Sequence, residues 1–116
     1  MSDIIIDQNV LNELVTSTGG DKEFLKELVD TYLTDSPKLL AQMRDALSAN
    51  DVDAFRRAAH SLKSTSANFG ALTLSARAKE LEMMAKAGTL EGAREKMPQV
   101  ETDYAKVKEE LRKSAQ

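Results

Sequence analysis

Apolar side chains recur three and four residues apart along most of the chain, the spacing that gathers them on one face of an α-helix. Val10, Leu11, Leu14 and Val15 form a first short stripe, opened by Asp7 as a cap and closed by Gly19-Gly20. Ile4-Ile5-Ile6, just before it, is too apolar for a free tail and is expected to lie against the rest of the protein. Asp21 caps a second helix whose stripe is Phe24, Leu25, Leu28, Val29, Tyr32 and Leu33. Ser36-Pro37 reads as a cap followed by proline at a first helical position, so a third helix is predicted there, turning Leu39, Leu40, Met43, Ala46 and Leu47 inward. Asn50-Asp51 ends it and opens a fourth helix over about residues 52–69, which stops at Gly70. A fifth starts near Ala71-Leu72, packs through Leu74, Ala78, Leu81 and Ala85, and closes at Gly88. Leu90, Ala93, Met97, Val100, Tyr104, Val107 and Leu111 then follow the alternating three-four spacing of a bundle seam. Pro98 interrupts that seam and predicts a kink or break around residues 95–98. Short connections between long amphipathic helices make antiparallel neighbours. The expected fold is all-α, an antiparallel four-helix bundle with a short additional N-terminal helix and a kinked C-terminal helix.

Composition agrees with this pattern and narrows the chemistry. The 116 residues suit one domain spanning 1–116, and Ala, Leu, Glu and Lys dominate. There is no cysteine, hence no disulfide and no thiolate metal site, and one histidine is too few for a protein-only zinc site. A net charge of −3 with mixed signs argues against a nucleic-acid binder. No long apolar run and no leader pattern is present, so a cytoplasmic protein is expected. The start at Met1 without a linker favours a free-standing protein, and a monomer is expected over a dimer.

The single histidine, His60, lies in the fourth predicted helix. With about 100° per residue and His60 at zero, Phe55, Ala58, Ala59, Leu62, Ser66 and Phe69 fall on the opposite, core-facing side. Arg56, Arg57, Lys63, Ser64 and Ala67 share the His60 side, within roughly 60° of it. Most lone histidines in helical proteins are incidental surface residues. Here Lys63 and Ser64 are its i+3 and i+4 neighbours, and Ser64-Thr65-Ser66-Ala67 is a run of small, weak helix formers that leaves room for a partner. A neutral imidazole is a nucleophile near pH 7 without a separate base, since its ordinary pKa is about 6.5. It can attack an activated phosphoryl group, with Lys63 balancing the negative oxygens and Ser64 offering a donor. The chain has no glycine-rich phosphate loop and no acidic metal motif, so the phosphoryl donor has to come from another protein.

His60-Ser61-Leu62-Lys63-Ser64-Thr65-Ser66-Ala67-Asn68-Phe69-Gly70 resembles the signature of histidine-containing phosphotransfer (HPt) domains. Tyr32-Leu33-Thr34-Asp35-Ser36-Pro37 is similar to the family's segment between its second and third helices, and Leu81-Glu82 to the Leu-Glu of its fifth. The resemblance covers about residues 8–113. It implies a phosphorelay intermediate: His60 takes a phosphoryl group from a receiver-domain aspartate, commonly in a hybrid sensor kinase, and passes it to the receiver of a response regulator. The chain would have no kinase activity and no cofactor of its own, with Mg2+ on the partner receiver. Lys63 would balance phosphate charge, and Ser64, where many members have glycine, and Gly70 would leave space for docking. In some members a glutamine steadies the imidazole; the matching position here is Asp35, whose carboxylate would orient the Nδ1–H. Arg56 and Arg57, mainly solvated charges, and Ala67 are candidate partner contacts, as is the apolar first helix after its packing role. Of Met83-Met84, one is expected in the core. The rival readings are a scaffold or receiver-binding bundle without phosphotransfer, in which His60 is incidental.

Overall fold

The computed structural model describes residues 5–114, and five α-helices account for nearly all of them. They are α1 (Gln8–Ser17), α2 (Lys22–Ala49), α3 (Val52–Asn68), α4 (Leu72–Lys86) and α5 (Glu91–Ser114). Helices α2 to α5 form the bundle: each packs on the next, α5 closes back on α2, and α1 lies across α2 and α3. The α3–α4 seam is the most extensive, which matters because the site lies along it.

Aspartates start three of the helices. Asp7, Asp21 and Asp51 each accept a hydrogen bond from a backbone N–H in the first turn, supplying partners that the helix cannot. Asn50 ends α2 in the left-handed region, at φ 54°, and its side chain and the Leu47 carbonyl both accept from Arg94 of α5.

The boundary predicted at Pro37 is absent, and Pro98 does not break its helix. Ser36-Pro37 does not start a helix; α2 runs unbroken for 28 residues with Pro37 inside it. Proline inside a helix costs about 3 kcal/mol, yet the buried positions Leu25, Val29, Tyr32, Ser36, Leu40, Met43 and Ala46 stay in phase across it. Ser36 is therefore a core position, 1% exposed, rather than a cap. Likewise α5 is continuous through Pro98, because the seam from Ala93 to Leu111 keeps its register on both sides. Burial of an in-phase stripe outweighs the local loss of one ladder bond.

The core matches the predicted stripes, with Met43, Phe55, Leu62, Leu74, Leu81 and Leu111 fully buried at its centre. Ile6 is buried and Ile5 packs against the core, while Ile4 lies outside the described residues. Met84 packs on the core and Met83 is exposed. Phe24 departs from expectation: it sits in the first turn of α2 and is 44% exposed.

Candidate functional site

The site is built on the outer face of α3 and one buried residue of α4. On α3, Phe55, Ala58, Ala59, Leu62 and Ser66 are buried, so His60 is turned outward, with 57% of its side chain exposed. Inside, the Ser66 hydroxyl is paired with the Tyr32 hydroxyl at 2.7 Å, and the Tyr32 ring lies 5.0 Å from that of Phe69. Ser75 of α4 donates to the Lys63 carbonyl at 2.8 Å. These contacts fix the rotation of α3 and its height against α4.

Glu82 completes the site from α4. Its side chain is only 4% exposed, and its two carboxylate oxygens are both used. Oε2 lies 2.7 Å from His60 Nδ1, and Oε1 accepts from Lys63 Nζ at 2.8 Å. The hydrogen bond from Lys63 holds the Glu82 carboxyl below its ordinary pKa, outweighing burial, and the hydrogen bond from His60 adds to the effect. An ionised carboxylate only accepts hydrogen bonds, so Nδ1 carries the proton. In the neutral ring this leaves Nε2 with the lone pair.

The predicted residues fall into three groups. His60 and Lys63 are brought together, through Glu82 as well as by helical spacing; Lys63 is one-quarter exposed. Ser64 is exposed and Ala67 half-buried on the same face. Within the small-residue run, however, Ser66 serves the core and Thr65 bonds back to the Ser61 carbonyl, so only part of the run clears the surface. Arg56 and Arg57 lie beside the site with their guanidinium groups directed to Asp53, at 2.8 and 3.6 Å. The hydrogen bond from Arg56, with the charge of Arg57 next, holds the Asp53 carboxyl below its usual range.

Two predicted roles are corrected. Asp35 is exposed on α2, and among the described residues it makes no hydrogen bond to His60; the orienting carboxylate is Glu82. Helix α2 does not end at residue 35, so nothing directs that side chain across α3. Gly70 does end α3, at φ 81°, but the space beside it is not a docking floor. A Cβ there would lie 2.6 Å from the Asp7 carbonyl oxygen and 3.2 Å from Val10 Cβ, because the start of α1 occupies it. Glu82 itself had a signal in the sequence. It is an acid directly beside the Leu74, Ala78, Leu81, Ala85 stripe, on the helix following the one that carries the histidine.

A helical bundle that displays one carboxylate-oriented imidazole beside an ammonium has the groups needed to carry a phosphoryl group on histidine. The family model of the Hpt domain matches residues 27–110. The crystal structure of histidine-containing phosphotransfer protein B (HptB) from Pseudomonas aeruginosa PAO1 superposes with a TM-score of 0.89 at 34% identity, covering 98% of this chain and 96% of that one. The comparison with curated proteins gives no match. The chain belongs to the Hpt family, and its role is histidine phosphotransfer within a phosphorelay. No described helix is long and apolar enough to cross a membrane.

Proposed function

We propose that His60 is the phosphoacceptor, taking a phosphoryl group from the aspartyl phosphate of one receiver domain and delivering it to the aspartate of another. One observation carries the assignment: the buried Glu82 carboxylate binds Nδ1 at 2.7 Å, which makes Nε2 the nucleophilic nitrogen of the only histidine in the chain. Attack by the Nε2 lone pair forms the N–P bond as the acyl P–O bond breaks, and the receiver carboxylate leaves with its electron pair. Lys63, within reach of the ring, balances the phosphoryl oxygens.

The chain acts as a carrier rather than a kinase, and Mg2+ is supplied on the receiver. It works as a cytoplasmic monomer, and nucleic acid is not a partner. The charged groups of α3 beside His60 favour an acidic receiver surface through association rate more than affinity. Incubation with a phosphorylated receiver and Mg2+ tests the reading: the chain gains an acid-labile, alkali-stable phosphoryl group, and ATP alone gives none. Labelling that persists in His60→Ala, or an unlabelled wild-type chain across several phosphorylated receivers, would leave a receiver-binding scaffold instead.

A further inference from the structure

The geometry points to a second role for Glu82: it keeps the Nδ1 proton on His60 after phosphorylation, so that the loaded ring is an imidazolium paired with a buried carboxylate. The inference rests on His60 being the phosphoacceptor and concerns what happens to the ring afterwards.

Attack through Nε2 moves no proton. The N–P bond forms, the acyl P–O bond breaks, the electron pair leaves on the receiver carboxylate, and the ring is left cationic with its hydrogen on Nδ1. In water such a ring releases that proton near neutrality, as imidazole does at about 6.5. Here release would leave the Nδ1 lone pair facing Oε2 at 2.7 Å, two acceptors with no hydrogen between them. Glu82 has no ready alternative, since its side chain is 4% exposed and its Oε2 is bonded to His60. Lys63 holds Oε1, and any movement of its ammonium toward the new phosphoryl oxygens leaves the carboxylate more dependent on the imidazolium.

The other charged groups of the helices packed with α3 act through solvent. On α3 these are Lys63 and the Asp53, Arg56, Arg57 group; α4 carries the exposed Lys79 and Lys86, α2 the exposed Lys38 and Asp45, and Asp7, the cap of α1, meets the far end of α3 at Gly70. The cations oppose a charged ring, and the carboxylates and the phosphoryl group favour it. Among the described residues, Glu82 is the one charged side chain with a hydrogen bond to the ring, and a direct contact with a buried partner outweighs screened surface charges. The consequence is chemical. In the onward transfer, N–P cleavage returns the electron pair to Nε2 and expels a neutral imidazole that already carries its Nδ1 proton. Loading and unloading then exchange no proton with solvent.

The test loads His60 with phosphoramidate, without a receiver, and follows the imidazole 15N–1H correlations from about pH 5 to about pH 9. The loaded wild-type ring is expected to keep Nδ1 protonated through neutrality. Glu82→Gln, nearly isosteric, should lose the proton about one pH unit lower or more. Lys63→Ala should move the midpoint upward, because it removes a cation and frees the carboxylate for the ring. The pH profile of phosphohistidine hydrolysis should shift in the same directions. Equal midpoints in wild type and Glu82→Gln, or loss of the wild-type proton below neutrality, overturn the inference while leaving the relay reading intact. A chain that neither phosphoramidate nor a phosphorylated receiver labels on His60 overturns both.

Discussion

The Asp7 N–H donates to the Gly70 carbonyl at 2.8 Å, and the Asp7 carbonyl oxygen fills the space where a Gly70 side chain would begin. One glycine thus ends the helix that carries the site and receives the start of α1. Gly70→Ala meets two penalties, a positive φ and a backbone clash, and is expected to destabilise the fold by about 2–4 kcal/mol. Urea unfolding measures this. Phosphotransfer per folded molecule should be retained, because the glycine faces α1. Wild-type stability combined with lost transfer would return Gly70 to a docking role.

Lys63 illustrates how a buried partner changes an expectation. Taken as an exposed helix residue, it is worth under about 0.5 kcal/mol. The structure instead pairs it with a carboxylate that is 4% exposed, and truncation would strip Glu82 of its strongest stabilising contact. Lys63→Ala should therefore cost about 1–3 kcal/mol in stability as well as slowing transfer from a phosphorylated receiver. Chemical denaturation and single-turnover transfer, measured on the same preparation, separate the two effects. A variant as stable as wild type would show that the ion pair contributes nothing to the fold.

What was legible in the sequence follows from what periodicity encodes. The inward stripes, the outward direction of His60 and the Lys63 neighbour are all consequences of about 100° per residue, and apart from Phe24 each is found as read. The boundary at Pro37 is misread because local proline chemistry, weighed alone, leaves out the tertiary burial that runs through it. The Glu82–His60 and Gly70–Asp7 contacts were out of reach for a different reason. Each joins residues far apart in sequence, and no single-helix pattern states which neighbour a side chain will meet.

The acid limb of stability should carry the signature of Glu82. Its folded pKa lies below the ordinary 4.5, with the Lys63 hydrogen bond the leading cause. A depressed carboxyl pKa adds stability that is present above the unfolded value and is lost as pH falls through the folded one. The advantage of wild type over Glu82→Gln is thus expected to shrink once the pH drops below 4.5. Unfolding free energies for both proteins across that window check it. A difference independent of pH would mean that the carboxylate's charge does not contribute.

The alkaline limb belongs to the tyrosines beneath the site. Burial pushes Tyr32 from 10.0 up to about 12, despite the Ser66 hydrogen bond that favours the ionised form, and burial raises Tyr104 as well. These are the only two tyrosines, so phenolate absorbance reads them without interference. The native protein should titrate above 10.0, and the urea-unfolded chain near 10.0. A raised folded pKa means the stability is fully present below the unfolded value and is lost as pH climbs from 10.0 toward about 12. Tyr32→Phe removes the partner of Ser66, whose side chain is 0% exposed, and should cost about 1–3 kcal/mol. Because Ser66 lies on the inner face of α3, that loss should also loosen the helix holding His60, visible as faster amide exchange along α3 than along α5. Uniform exchange in the two helices would show that the Tyr32–Ser66 pair stabilises the bundle without holding α3 in particular.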